Sequence, residues 1–210
     1  MEFDQLIKSR HSAVNFEEGF EMQEEDFKKI MELTKLAPSP YNLQHSKFLI
    51  ITDKDLKEEI YNLSYQQYKI HTASAVVVIL GDKKSVEVSE AEKLYKPMKM
   101  LRIIDEDDYM LLINQITGYG NSLRANPQRL RDEVLVTSAI SSAFFMLSAK
   151  NLGFDTCPMH IQNEDKMRAL LNISDQYEMY MMLTIGKSVD KTRPRGYRKP
   201  FGEQVVFNKF

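Results

Sequence analysis

Four short stretches of the chain carry residue types that could do chemistry: three could grip an anion or a flat polar ring, and one could supply a nucleophile. "SRHS", Ser9 to Ser12, sets the Arg10 guanidinium and the His11 imidazole between two hydroxyls, the second from Ser12. A guanidinium presents a fork of donors that matches a phosphate. The same residues also make an ordinary polar helix end, where a basic group suits the helix dipole. "APSPYNLQH", Ala37 to His45, holds Pro38, Ser39, Tyr41, Asn42 and Gln44 and no formal charge. A primary amide offers donor and acceptor in one plane, as the edge of a heterocycle does. Turn chemistry, in which Asn bonds its own backbone, accounts for Asn42 but poorly for Gln44. "RPRGYRK", Arg193 to Lys199, gathers Arg193, Arg195 and Arg198, either to close on a phosphate or to stand in solvent as a basic tail. "GFDTCPMH", Gly153 to His160, brings Cys157 near His160, but a lone cysteine is more often a small buried hydrophobe than a nucleophile.

Other chemistries lack their residues. The four histidines, His11, His45, His71 and His160, have no HxxxH or HExxH spacing, so no metal site is expected. There is no GxGxxG, GxxxxGK[ST] or GxSxG, so a nucleotide-like cofactor would not bind by a Rossmann or P-loop route.

Composition sets the frame for these residues. A chain of 210 residues with 43% hydrophobic and 28% charged content fits one packed globular domain, residues 1–210. A net charge of -2 argues against a partner held by bulk charge, such as nucleic acid. "MEFDQLIKSRHS" has no apolar leader, and the single cysteine cannot close an internal disulfide, so a cytoplasmic protein is expected. The apolar run Val134 to Ala149 falls short of the ~20 residues of a membrane span and holds several serines. It reads as a buried helix whose small residues admit close approach by another helix or subunit, so no membrane partner is expected.

The elements that must position the site follow from periodicity. Helices are expected over 3–8, 23–36, 54–63 (with Asp53 as cap), 130–151 and 164–171. On the second of these, Phe27, Ile30, Met31, Leu33 and Thr34 share a face. Strands are expected over 47–52 and 73–81, both with covered faces, with an extended piece at 154–158, a core strand at 178–186 and an edge strand at 204–207. Residues 85–130 read as an excursion of two amphipathic helices, ending in a loop at 118–129. The class is α+β or α/β.

In order along nearly the whole chain, these pieces resemble the nitroreductase family of FMN-dependent oxidoreductases. The likeness lies in "RHSAVNF" (10–16) against the R-x-S-x-R-x-F start, in "APSPYNLQ" (37–44) against A-P-S-x-x-N-x-Q, in the strand "ASAVVVIL", in "LGFDTCPM", and in the terminal "RPRGYRKPFGEQVVF". The resemblance implies an α+β fold with a central mixed, mostly antiparallel sheet flanked by helices. It also implies an intertwined homodimer with FMN at the interface, and an excursion 85–130 that covers the active site.

Carried over residue by residue, it assigns the phosphate to Arg10 and Ser12 with His11 beside them. Arg198 is the terminal ligand and Arg195 a second. Pro38, Ser39, Asn42 and Gln44 form the turn along the flavin, usually from the other subunit. Gln66 and Lys69 address the ribityl or pyrimidine edge, and Pro158, Met159 and His160 the ring. Tyr41 and Tyr119, with Tyr65 and Tyr68, are candidate pocket walls. The implied activity is ping-pong hydride transfer from NADH or NADPH, through flavin N5, to a flat acceptor such as a nitroaromatic or quinone. The family's second basic residue is Val14 here, and its small residues after Pro-Met are His160 and Ile161. Those departures leave open an FMN-binding storage or sensing protein without NAD(P)H turnover.

Overall fold

The computed structural model describes residues 2–189 and 195–209. Its centre is a sheet of β1 (Ser46–Ile51), β2 (Ala75–Asp82), β3 (Asp155–His160) and β4 (Tyr177–Gly186) in the order β1-β2-β4-β3. All neighbouring strands are antiparallel, and the parallel element is an isolated bridge between Ser12 and Thr156.

Period-2 alternation splits the strand residues between two helical layers. Val76, Val78, Leu80, Cys157 and Met159 face Ile60, Ile70 and Met167, which belong to α3 (Lys54–Leu63), α4 (Tyr68–Thr72) and α8 (Glu164–Leu171). Ala75, Val77, Ile79, Leu183 and Ile185 face the other layer. That layer contains α2 (Glu24–Thr34) and α7 (Pro127–Asn151). β4 spends three steps, Met179 to Met182, against two in β2, Leu80 to Val78. The extra residue turns both methionines into the same layer.

Helix starts follow local capping. Asp53 accepts from the Leu56 amide at 2.8 Å, as expected. On α2, Phe27, Ile30 and Thr34 are buried and Met31 partly so, but Leu33 is exposed. The excursion forms α5 (Val88–Met100) and α6 (Glu106–Arg124) after a 3₁₀ turn at Lys83–Val86. Ala91, Tyr95, Tyr109 and Ile116 from these helices enclose Leu43 in a cluster of their own.

Three expectations are corrected. The loop expected over 118–129 is helical except at Ala125 and Asn126. Asn126 caps α7, accepting from the Arg129 amide at 3.2 Å, and Pro127 takes the first turn, where its missing N–H costs nothing. β1 is an edge strand, with only Ile51 buried in its pattern, so its apolar run is half covered. The edge strand expected over 204–207 is absent among the described residues. Phe201–Gln204 forms α9, a helical turn in which the Val205 amide donates to the Phe201 carbonyl. An extended segment needs a neighbouring strand for its ladder bonds, and a local helical bond takes its place here.

The serines of α7 face the sheet, whereas Ala139 and Ala143 are exposed. A Cβ on Gly81 would stand 2.8 Å from Val134, and Ser46 donates to Ser141 at 2.8 Å. At 25 residues α7 is long enough to cross a bilayer, but Thr137, Ser138, Ser141, Ser142 and Phe145 are buried against the rest of the protein. Its opposite face exposes Val136, Ile140 and Phe144 at helical spacing.

Candidate functional site

The two ends of the chain meet at the open end of β3. α1 (Phe3–Ser9) stops at Arg10, whose backbone turns extended. The following segment then runs beside β3, with the Ala13 amide donating to the Thr156 carbonyl at 3.1 Å. Arg195, 185 residues further on, donates from Nη2 to the Arg10 carbonyl at 2.9 Å. It also donates to the carbonyls of Ile7 at 2.8 Å and Lys8 at 2.6 Å, closing the end of α1. Arg198 donates to the carbonyls of Gly196 and Tyr197 in its own loop. Arg193 lies outside the described residues.

Arginine charges act on one another at this corner. Burial, and then the charges of Arg195 and Arg198, push the Arg10 guanidinium below its usual value, with Asp155 and Cys157 opposing. His11 Nδ1 lies 3.2 Å from the Ser9 carbonyl and 3.8 Å from Asp155. Lys150 binds the same carboxylate at 2.7 Å. Lys69, on α4, points its ammonium to Cys157 Sγ at 3.4 Å. The charges of Arg195 and Arg198 bear on a partly buried Arg10, so an anion placed beside Arg10 would relieve their mutual repulsion.

β3 lays out the next residues by alternation. Cys157 and Met159 are buried in the core, so Met159 offers its backbone rather than its side chain to a ligand. Pro158 and His160 are exposed, and the His160 ring meets Tyr180 edge-on at 4.8 Å. Gln66 is exposed in the left-handed region at φ 50°, between α3 and α4. Tyr65 is exposed too, and Tyr68 donates to Glu18 at 2.6 Å.

The proline turn is a second, separate group. Pro40–Asn42 forms a 3₁₀ turn, with Tyr41, Asn42 and Gln44 all left-handed at φ 47°, 49° and 51°. Such angles are costly for residues with a Cβ and persist where the surroundings over-determine them. The Ser39 hydroxyl accepts from the Gln44 amide at 2.9 Å, so the Gln44 backbone closes the turn while its side chain is exposed. Pro38 is exposed beside them. Tyr41 and Tyr119 are brought together, ring centroids 5.3 Å apart. Burial first, then Glu133, holds the Tyr119 hydroxyl above the ordinary phenol value.

A sequence profile described as the nitroreductase family matches residues 7–187. The chain belongs to the nitroreductase family. MhqN of Bacillus subtilis, assigned to the NAD(P)H nitroreductases, is 39% identical over 207 residues, covering 98% of each chain. The solved structure of the nitroreductase ydfN from Bacillus subtilis superposes with a TM-score of 0.91 at 39% identity, covering 98% of each chain. A nitroreductase from Exiguobacterium sibiricum, solved in complex with FMN, gives a TM-score of 0.88 at 27% identity, covering 99% of this chain and 98% of that one.

For this member of the family, sequence reading found the arginines and the turn but missed two groups around them. Asp155 and Cys157 flank Arg10, which strand alternation through "FDTCPMH" could have suggested. Tyr95, on α5, donates to the Tyr41 carbonyl at 2.6 Å. Nothing local to Tyr95 signals that contact across 54 residues.

Proposed function

We propose that the protein is an FMN-dependent NAD(P)H oxidoreductase, with FMN held between two copies of the chain. The observation that carries this reading is the meeting of Arg10, Arg195 and Arg198 at one corner of a nitroreductase fold. When bound, FMN supplies the redox chemistry, taking a hydride at N5 from NADH or NADPH and then giving it to a flat acceptor such as a nitroaromatic or quinone. Arg10, Arg198 and Ser12 hold the phosphate, with His11 beside it. Arg195 acts mainly by fixing the backbone that carries Arg10. Lys69 sets a positive charge toward the ring's pyrimidine edge, while Gln66 serves the ribityl side. Pro158, the Met159 backbone and His160 border the ring, and Tyr41 and Tyr119 wall the substrate pocket. No side chain need donate a proton for hydride transfer itself.

Sheet geometry supports a dimer. The turn runs into Ser46 at one edge and one end of the sheet, whereas Thr156 lies at the other edge and the other end. Three strand spacings and six residues of rise separate them by about 25 Å. A twofold partner brings the turn of one chain to the arginine corner of the other. The exposed stripe Val136, Ile140 and Phe144 supplies the seam. The exposed tail residues Val205, Val206 and Phe207 lie against the partner. The excursion 85–130 covers the shared site.

An absorbance spectrum of the purified protein with FMN, before and after NADH or NADPH without oxygen, tests the reading. A flavin band that bleaches supports the oxidoreductase. A band that stays means a flavin-binding protein without turnover, and no band removes FMN from the account.

A further inference from the structure

The excursion does more than approach the proline turn: it holds it. Residues 39–45 are fixed partly by bonds of their own and partly by contacts from residues 82–119. The Tyr95 hydroxyl donates to the Tyr41 carbonyl at 2.6 Å. The Leu43 side chain is buried among Ala91, Tyr95, Tyr109 and Ile116. His45 is fully buried, pairing with the Ser85 hydroxyl through Nδ1 while its carbonyl accepts from the Asp82 amide at 2.7 Å. Within the turn, the Gln44 amide donates to the Ser39 hydroxyl, the Asn42 amide to the Ser39 carbonyl and the Leu43 amide to the Pro40 carbonyl.

Three left-handed residues in a row of four, none of them glycine, would relax toward ordinary angles without such restraint. Tyr95 acts where the restraint matters most. Its hydroxyl meets the carbonyl of the first left-handed residue, and the tyrosine as a whole is 8% exposed, so the bond is partly shielded from water. Burial also raises the hydroxyl's proton affinity, so it stays a donor at any ordinary pH.

We propose that Tyr95 is a positioning residue: through the Tyr41 carbonyl it sets the turn 38–44 in the conformation that receives the cofactor. The role rests on the FMN reading above, but Tyr95 itself is not assigned any contact with FMN. It follows that the turn and α5 behave as one body, and that displacing α5 would weaken cofactor binding from a distance.

The test compares the full-length wild type with Tyr95→Phe, which removes one oxygen and keeps the ring. Amide hydrogen exchange in the FMN-free protein reads the turn directly, because the amides of Asn42, Leu43 and Gln44 donate within it. Their exchange should quicken about fivefold while β2 and β4 stay protected, and the FMN dissociation constant should rise about fivefold. Unchanged turn exchange overturns the proposal. Faster exchange with unchanged FMN affinity overturns the link to the cofactor. A wild type that binds no FMN, with the turn still loosened by Tyr95→Phe, locates the failure in the FMN reading and removes the cofactor role with it.

Discussion

A Cβ on Gly120 would stand 2.3 Å from the carbonyl oxygen of Val86. α6 therefore passes the 3₁₀ turn before α5 at a distance that only glycine permits. The same helix has a second glycine, Gly118, with nothing within 4 Å of its would-be Cβ.

That contrast yields a paired prediction. Replacing glycine by alanine inside a helix gains about 1 kcal/mol of propensity. At Gly118 this gain stands alone, so Gly118→Ala should stabilise by about 0.5–1 kcal/mol. At Gly120 the new carbon meets backbone, which cannot swing aside, and overpacking costs about 1–3 kcal/mol or more. Gly120→Ala should therefore lower the urea midpoint while Gly118→Ala raises it. Equal midpoints for the two variants would show that α6 and the turn separate easily.

Arg10 offers the most direct test of the phosphate grip. A charged hydrogen bond contributes about 1.5–3 kcal/mol, or roughly 10- to 100-fold in affinity. Arg10→Gln should weaken FMN binding by that factor, as followed by quenching of flavin fluorescence. Arg10→Lys should recover part of it, keeping charge without the fork. Affinity unchanged in Arg10→Gln would move the phosphate to another corner.

His45 predicts a pH dependence of stability. Burial lowers its pKa, with Glu133 and Asp82 opposing and the Ser85 hydroxyl bonded to its ring. The folded protein thus binds the proton less readily than the unfolded chain, whose histidine titrates near ~6.5. Stability from this group is full above ~6.5 and is lost as pH falls through that value toward the lower folded pKa. His45→Gln, with no group titrating in that window, should flatten the fall measured by denaturant unfolding between about pH 7 and 5. An equally steep fall in the variant would assign it to other groups.

The proposed seam can be broken on its own. Val136 is 61% exposed, so a charge there should leave the fold of one chain intact. In a dimer closed through α7, Val136→Lys buries two like charges facing each other across the twofold axis. Sedimentation should show a smaller species than wild type, and FMN should be lost with it, since the turn and the arginine corner then lie about 25 Å apart. A variant that remains dimeric would place the seam elsewhere on the surface.

Much of this protein was legible in its sequence because the signals are local. Asp53 announces a helix start, the run from Ala73 to Gly81 announces a buried strand, and the order of the motifs from Arg10 to Arg198 points to the family. Ambiguity began where one signal serves two structures. Gly118, Gly120, Asn126 and Pro127 read as a loop, yet glycine also permits close helix approach and Asn-Pro also opens a helix. The segment 204–207 carries the β-branched and aromatic residues of a strand, but no strand among the described residues pairs with it.

The sequence by itself determined which residues are available: the arginines at both ends, the uncharged turn, the strands that form the core. Tertiary structure alone decided which of them meet. Arg195 reaches Arg10 because the sheet returns the chain to its beginning. Tyr95 reaches Tyr41 because α5 folds back over the turn. Contacts of that kind depend on how layers pack, and the residues that make them carry no mark of the partner they will find.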